Sequence, residues 1–159
     1  MPSILSNKEL IKQFGRFEYK EDPTRKGWII IEPEWKLENL TSIGLPFGPA
    51  GLSRTFSVNK KVQTELLAIF TELEQKNLLP LVRVINGVWA ARHIMHNLKR
   101  GLSRHSWGIA IDINAGFCPV GKRGHQPLSI VKVFESHGWA WGGRWHDPDE
   151  MHFEKGGGD

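Results

Sequence analysis

Ser103-Arg104-His105-Ser106-Trp107-Gly108-Ile109-Ala110-Ile111-Asp112-Ile113-Asn114 is the stretch that decides the fold. Ile109, Ile111 and Ile113 alternate with Ala110, Asp112 and Asn114, the period-two pattern of a strand with one buried face. Asp112 therefore lies on the face opposite the isoleucines. A carboxylate in an apolar strand is costly unless something pairs with its charge. His105 stands seven residues upstream, and on an unbroken strand that offset puts two side chains on opposite faces. The two share a ligand only if the chain turns near Gly108, since glycine accepts backbone angles that other residues avoid. The pattern then places His105 at the mouth of the strand and Asp112 on it, and it asks for a third ligand. Asp149-Glu150-Met151-His152-Phe153-Glu154 offers a second histidine with acids beside it.

Outward from this stretch, Ile4, Leu5, Leu10, Ile11 and Phe14 predict a short amphipathic helix after Ser6-Asn7, within an N-terminal extension over 1–22. Gly27 to Ile31 reads as a strand ended by Glu32-Pro33. Pro46, Gly48, Pro49 and Gly51 predict an irregular loop. Val62, Leu66, Ile69, Phe70 and Leu73 predict a helix over 59–76, capped by Ser57 or Asn59. Leu81 to Gly87 reads as a strand. The region 89–100 is irregular or briefly helical and brings Arg92, His93 and His96 toward the central stretch. A loop over 115–126 precedes a helix opened by Pro127 and stopped by His137-Gly138. Trp139 to Gly143 is a strand entering a turn, Phe153 belongs to a last strand, and 155–159 is a flexible glycine tail. The expected fold is one α+β domain over 1–159, with a small antiparallel sheet carrying the site and helices covering its other face.

Composition narrows the function classes. With 159 residues, 40% hydrophobic and 24% charged, the chain suits one soluble domain with a real core. A net charge of +4 without a basic block argues against general nucleic-acid binding, and so against a metal-dependent nuclease. It suits an anionic polymer such as a bacterial cell wall. Cys118 is the only cysteine, which excludes an internal disulfide and a multi-cysteine zinc knuckle; it reads as a small apolar core residue. No signal-like apolar run opens the chain and no stretch reaches the length of a membrane span. The expectation is a monomer made in the cytoplasm without a signal peptide or membrane insertion, reaching a wall by lysis or separate export.

Catalytic zinc sites use three protein ligands and keep a fourth position open, and histidine nitrogen with carboxylate oxygen suits that ion. A carboxylate nearby must accept the proton of the attacking water. Asp149 and Glu150 both precede His152, and three-residue spacing on a helical turn favours Asp149. Each part also has an ordinary reading: His105 as a capped surface histidine, Asp112 as a strand-end acid bonded to amides, His152 as core-edge packing. His93, His96, His125, His137 and His146 read as solvent-facing or hydrogen-bonded. Trp139, Trp141 and Trp145 read as core and rim packing, or as groove walls.

Ser103-x-His105-x-x-Gly108-x-Ala110-x-Asp112, followed by Asp149-x-x-His152-Phe153-Glu154, resembles the M15 zinc peptidases. That family comprises D-alanyl-D-alanine carboxypeptidases, D,D-dipeptidases and the L-alanyl-D-glutamate endopeptidases of phage lysins. The resemblance runs from Trp28 to Glu154. It implies one zinc ion held by His105, Asp112 and His152, with Asp149 as catalytic base. It also implies an upstream arginine that binds substrate or stabilises the oxyanion. Arg92 in Gly87-Val88-Trp89-Ala90-Ala91-Arg92 is the best match, although it departs from the commoner Gly-Tyr-Arg-Ser form, and Arg83 is the alternative. Ser103, Trp107 and Trp141 complete the set as substrate contacts. The implied activity is hydrolysis of peptidoglycan stem peptides. The compact chain, the absent signal and the aspartate base favour the endopeptidase, lysin-like side. The alternatives are a D,D-carboxypeptidase or dipeptidase, or a non-catalytic zinc domain like that of hedgehog signalling proteins, whose fold the family shares. A structural site needs no base, so Asp149 argues against the last.

Overall fold

The computed structural model describes residues 1–157. A short strand, β1 (Ser3–Ile4), leads into helix α1 (Asn7–Phe14). Ser6 and Glu9 form a capping box: Glu9 N donates to Ser6 Oγ at 3.2 Å and Ser6 N donates to the Glu9 carboxylate at 2.8 Å. Two amides that a helix start leaves without partners are thereby satisfied. Strands β2 (Tyr19–Glu21) and β3 (Ile29–Ile31) pair antiparallel and are followed by helix α2 (Pro33–Asn39).

Strands β4 (Leu40–Phe47) and β5 (Leu52–Asn59) then form a regular antiparallel hairpin, where a loop was expected around Pro46. The pair stands apart from the other strands, so Pro46 takes nothing from a neighbouring ladder. Gly48 and Gly51, at φ +76° and +63°, make the reversal. The proline and glycines are the turn of a hairpin, whose buried side carries Ile43, Leu45, Phe56 and Val58.

Helix α3 (Gln63–Gln75) follows a 3₁₀ turn over Lys60–Val62 that Asn59 caps. The expected strand over 81–87 shrinks to β6 (Ile85–Gly87). Ahead of it, the Asn114 side chain takes the place of a partner strand. Its Oδ1 accepts from Arg83 N at 2.9 Å and Val84 N at 3.3 Å, and its Nδ2 donates to Leu81 O at 3.0 Å.

Strand β7 (Ala110–Ile113), helix α4 (Leu128–Ser136), strand β8 (Trp139–Trp141) and strand β9 (His152–Gly157) complete the fold. The main sheet is antiparallel in the order β1-β9-β7-β6, with β8 also paired to β9. Leu66, Ile69, Phe70 and Leu73 of α3 are buried with Ile130, Val131, Val133 and Phe134 of α4. Phe134 stacks on Phe153 of β9 at 4.2 Å between ring centroids. The helices thus cover the face that carries Phe153, and side-chain alternation turns Asp112, His152 and Glu154 to the other. The architecture is mixed α and β, with small antiparallel sheets that do not close.

The glycine tail is corrected as well. Gly156 pairs with Ile4 and Gly157 with Ser3, so 155–157 is strand; residues 158–159 lie outside the described residues. A Cβ on Gly156 would lie 2.5 Å from Gly138 O and 2.9 Å from Ser3 O. Glycine is there because backbones meet at that point. Among the described residues, no helix is long and apolar enough to cross a membrane.

Gly108 performs the expected turn. It closes the 3₁₀ turn Arg104–Trp107 at φ +70°, and a Cβ on it would lie 2.8 Å from Asn59 N. Gly108→Ala combines a left-handed backbone with a clash against main chain. The expected loss is about 2 kcal/mol or more, read as a lower midpoint in urea at unchanged slope. A midpoint equal to the native one would show that the turn tolerates a side chain.

Candidate metal centre and groove

The centre is assembled where the 3₁₀ turn meets the β7–β9 pair. Ser103 caps that turn, its Oγ accepting from His105 N at 3.3 Å. His105 Nδ1 donates to Val88 O at 2.7 Å, which leaves the lone pair on Nε2. Asp112 and His152 are direct cross-strand partners, and Asp112 Oδ1 lies 3.1 Å from His152 Nδ1. The same oxygen lies 3.1 Å from His105 Nε2, yet that buried nitrogen has no hydrogen bond among the described residues. The three ligand atoms fall within 4.8 Å of one another. Ligands of a tetrahedral zinc at about 2.0–2.1 Å stand roughly 3.3 Å apart, and the two 3.1 Å separations from Asp112 Oδ1 are close to that, so these residues could hold such an ion.

The electrostatics follow from the crowding. Burial resists charge on Asp112, but His105 and His152 outweigh it and hold the carboxyl far below the usual range. Burial likewise resists charge on His152, and hydrogen bonds to Asp112 and Glu154 overcome it, pushing the imidazole up to about 10 in the ion-free protein.

Asp149 and His152 close a reverse turn, His152 N donating to Asp149 O at 3.2 Å. The expected helical turn is absent, but both geometries bring residues three apart together. Asp149 N donates to Gly142 O at 2.9 Å, and the Asp149 carbonyl packs where a Cβ on Gly142 would stand. Gly142 thus carries the loop against Asp149, a role that nothing local in the sequence signals. Asp149 Oδ1 is buried with no hydrogen-bond partner among the described residues. Burial pushes its carboxyl above the usual range; the charge of His152 opposes the shift and that of Asp112 adds to it. Glu150 faces elsewhere, accepting from Gly124 N, His125 N and Gln126 N at 3.0, 2.8 and 3.3 Å. It staples the preceding loop.

These residues open on a groove of about 970 Å³. Arg92 lines it, with Nη1 donating to His93 O at 3.3 Å. Arg83 lies outside it, over the Phe117 ring at 5.2 Å. Ser103 and Trp107 line the groove, and the Trp107 indole donates to Gly15 O at 2.9 Å. Trp141 does not: it is buried, and its indole donates to Glu150 O at 2.8 Å. Trp145 takes the place expected of it, with its ring 5.4 Å from that of His152. The N-terminal extension also proves to be part of the groove, since Asn7, Lys8 and Ile11 of α1 form one wall. His93 is occupied by Arg100 O at 2.7 Å and Glu21 at 2.8 Å. Cys118 is buried, and burial together with Glu150 and Asp149 pushes its thiol up to about 11.

Two histidines and an aspartate converging beside an acid whose buried Oδ1 has no hydrogen bond among the described residues, in a groove of peptide size, define a candidate hydrolytic metal centre. The particular family comes from comparison: residues 96–155 match the family model described as D-alanyl-D-alanine carboxypeptidase, which supports an M15 family peptidase. The match covers a little over a third of the chain and includes His105, Asp112, Asp149 and His152. No curated protein and no solved structure matches the chain.

Proposed function

We propose that this peptidase is a zinc enzyme that cuts stem peptides of bacterial peptidoglycan, as an endopeptidase of the L-alanyl-D-glutamate type. The observation that carries this reading is the convergence of His105 Nε2 and His152 Nδ1 on Asp112 Oδ1, beside an Asp149 carboxylate whose buried Oδ1 has no hydrogen bond among the described residues. Zinc held by the three ligands supplies a Lewis acid for the scissile carbonyl and a nucleophilic water at neutral pH. Asp149 accepts the proton of the attacking water and returns it to the leaving amine. The Arg92 guanidinium stabilises negative charge as it develops on the carbonyl oxygen. Trp107, Trp145 and the α1 wall exclude water from the peptide. Lys8, Arg16 and Arg100 also line the groove and attract a stem peptide rich in carboxylates.

The groove lies at the upper end of the ~300–1,000 Å³ typical of ligand pockets, which supports a substrate that runs past the cut on both sides. A D,D-carboxypeptidase is the second reading, favoured by the description of the matching family. Digestion of purified peptidoglycan with zinc-loaded protein, followed by mass spectrometry, separates the two. Stem peptides released by cleavage after L-alanine, and lost on chelation, are expected; release of terminal D-alanine alone would move the protein to the second reading. No product from folded, zinc-replete protein would sink both.

A further inference from the structure

Glu154 is a buried acid, 3% exposed, that the proposed chemistry does not use. It shares a face of β9 with His152 and stands opposite Ala110 of β7, whose small side chain leaves room for the carboxylate. His152 Nε2 donates to Glu154 Oε1 at 3.0 Å, since an ionised carboxylate can only accept. Glu154 Oε2 has no hydrogen bond among the described residues, and Arg104 Nε lies 3.5 Å from it. Arg104 is tied in turn to the N-terminal segment: Nη2 donates to Leu5 O at 2.9 Å, and Nη1 and Nη2 each reach Asn7 Oδ1 at 3.3 Å. A continuous polar chain therefore runs from the segment that walls the groove to a candidate metal ligand.

An imidazole whose Nε2–H is held by an acceptor keeps its lone pair on Nδ1, and the ring cannot exchange its two nitrogens by turning over. A buried ion pair is a poor way to gain stability compared with apolar packing, so its place on the ligand's far side points to orientation. We propose that Glu154, held by Arg104 and through it by the N-terminal segment, is the positioning residue that presents Nδ1 of His152 to the metal. The role rests on the zinc reading above. It also makes α1 a support of the centre as well as a wall of the groove.

The test is zinc affinity, by competition with a chromophoric chelator, together with ¹⁵N NMR of the histidine rings in the zinc-loaded protein, where His152 carries a single proton. Glu154→Met fills the space but accepts no hydrogen bond. It is expected to weaken zinc about 10–100-fold and to replace one ring tautomer at His152 with a mixture. Glu154→Gln, whose amide oxygen still accepts from Nε2–H, is expected to hold zinc far more tightly than Glu154→Met, with a single tautomer. Native affinity and a single tautomer in Glu154→Met would overturn the positioning role while leaving the zinc reading intact. Should Glu154→Met fail to fold, Arg104→Met carries the test: weaker zinc binding is expected, and native affinity would overturn the proposal. Zinc binding by the native protein that is absent, or indifferent to His105→Ala, would overturn both readings.

Discussion

Asp149→Asn is expected to lower kcat on a stem peptide by about 10²–10⁴-fold while leaving zinc affinity close to native. Asparagine matches aspartate in shape, and the backbone link from Asp149 N to Gly142 O survives the change. The variant loses only the ability to accept a proton. Burial raises the Asp149 pKa above its ordinary value, and the residue acts as a base only when ionised. Activity is therefore expected to rise with pH through a group titrating above the usual aspartate range. Arg92 pulls that pKa down, so Arg92→Gln is expected to move the acid limb of the profile to higher pH, beyond any loss of rate. Stopped-flow or discontinuous assays across pH, with zinc content measured in parallel, check both. Native turnover in a zinc-replete Asp149→Asn protein would transfer the base to another group.

Removing zinc is expected to abolish activity, and reloading at pH 7 to release about one proton per site. In the ion-free protein His152 is pushed up to about 10, so it is protonated at neutral pH, with Nδ1 facing Asp112. Nδ1 could hold zinc only after giving up that proton, so binding would release it. Calorimetric titration in buffers of different ionisation enthalpy reads the count, and zinc binding without proton release would refute it. The same shift governs stability. A group whose folded pKa lies above the ordinary imidazole value of 6.5 contributes stability that is fully present below about pH 6.5 and is lost as pH rises through its folded pKa. Asp112 has the opposite sign: its pKa is lowered on folding, so its contribution is present above about pH 3.9 and is lost as pH falls further. Zinc-free protein is expected to lose thermal stability from pH 6.5 toward 10, whereas zinc-loaded protein, without the His152 proton, does not follow that limb. Melting curves across this range decide it.

Local periodicity carried much of the molecule. Alternation around Asp112 determined its strand and its face, because successive side chains on any strand alternate. The 3.6-residue spacing of Leu66, Phe70 and Leu73 determined α3. Gly108 was where the chain had to turn if His105 and Asp112 were to meet, and Asn59 was one of the two residues read as the cap ahead of α3. The candidate metal set His105, Asp112 and His152 was legible through the resemblance of the paired motifs, since alternation by itself gave only the face of Asp112 and left ordinary readings open for both histidines.

Tertiary structure alone decided the rest. Pro46 with Gly48 and Gly51 resembles a loop until β4 and β5 pair, and Gly156-Gly157 resembles a tail until β1 pairs with it. Trp141 and Trp145 have similar local surroundings, yet only the fold turns Trp145 toward His152 and buries Trp141 on Glu150. Asp149 was separable from Glu150 by spacing, but the loop amides that occupy Glu150 come from 24 to 26 residues away. Arg104 carries no local sign that it joins Glu154, 50 positions later in the chain, to Leu5, 99 positions earlier. Hydrophobic period is a property of neighbours in sequence, and so the sequence by itself determined the central strand and helices α1, α3 and α4, but gave no sign of α2. The partners of buried polar groups are chosen among atoms that meet only after the chain has closed, and those the tertiary structure decided.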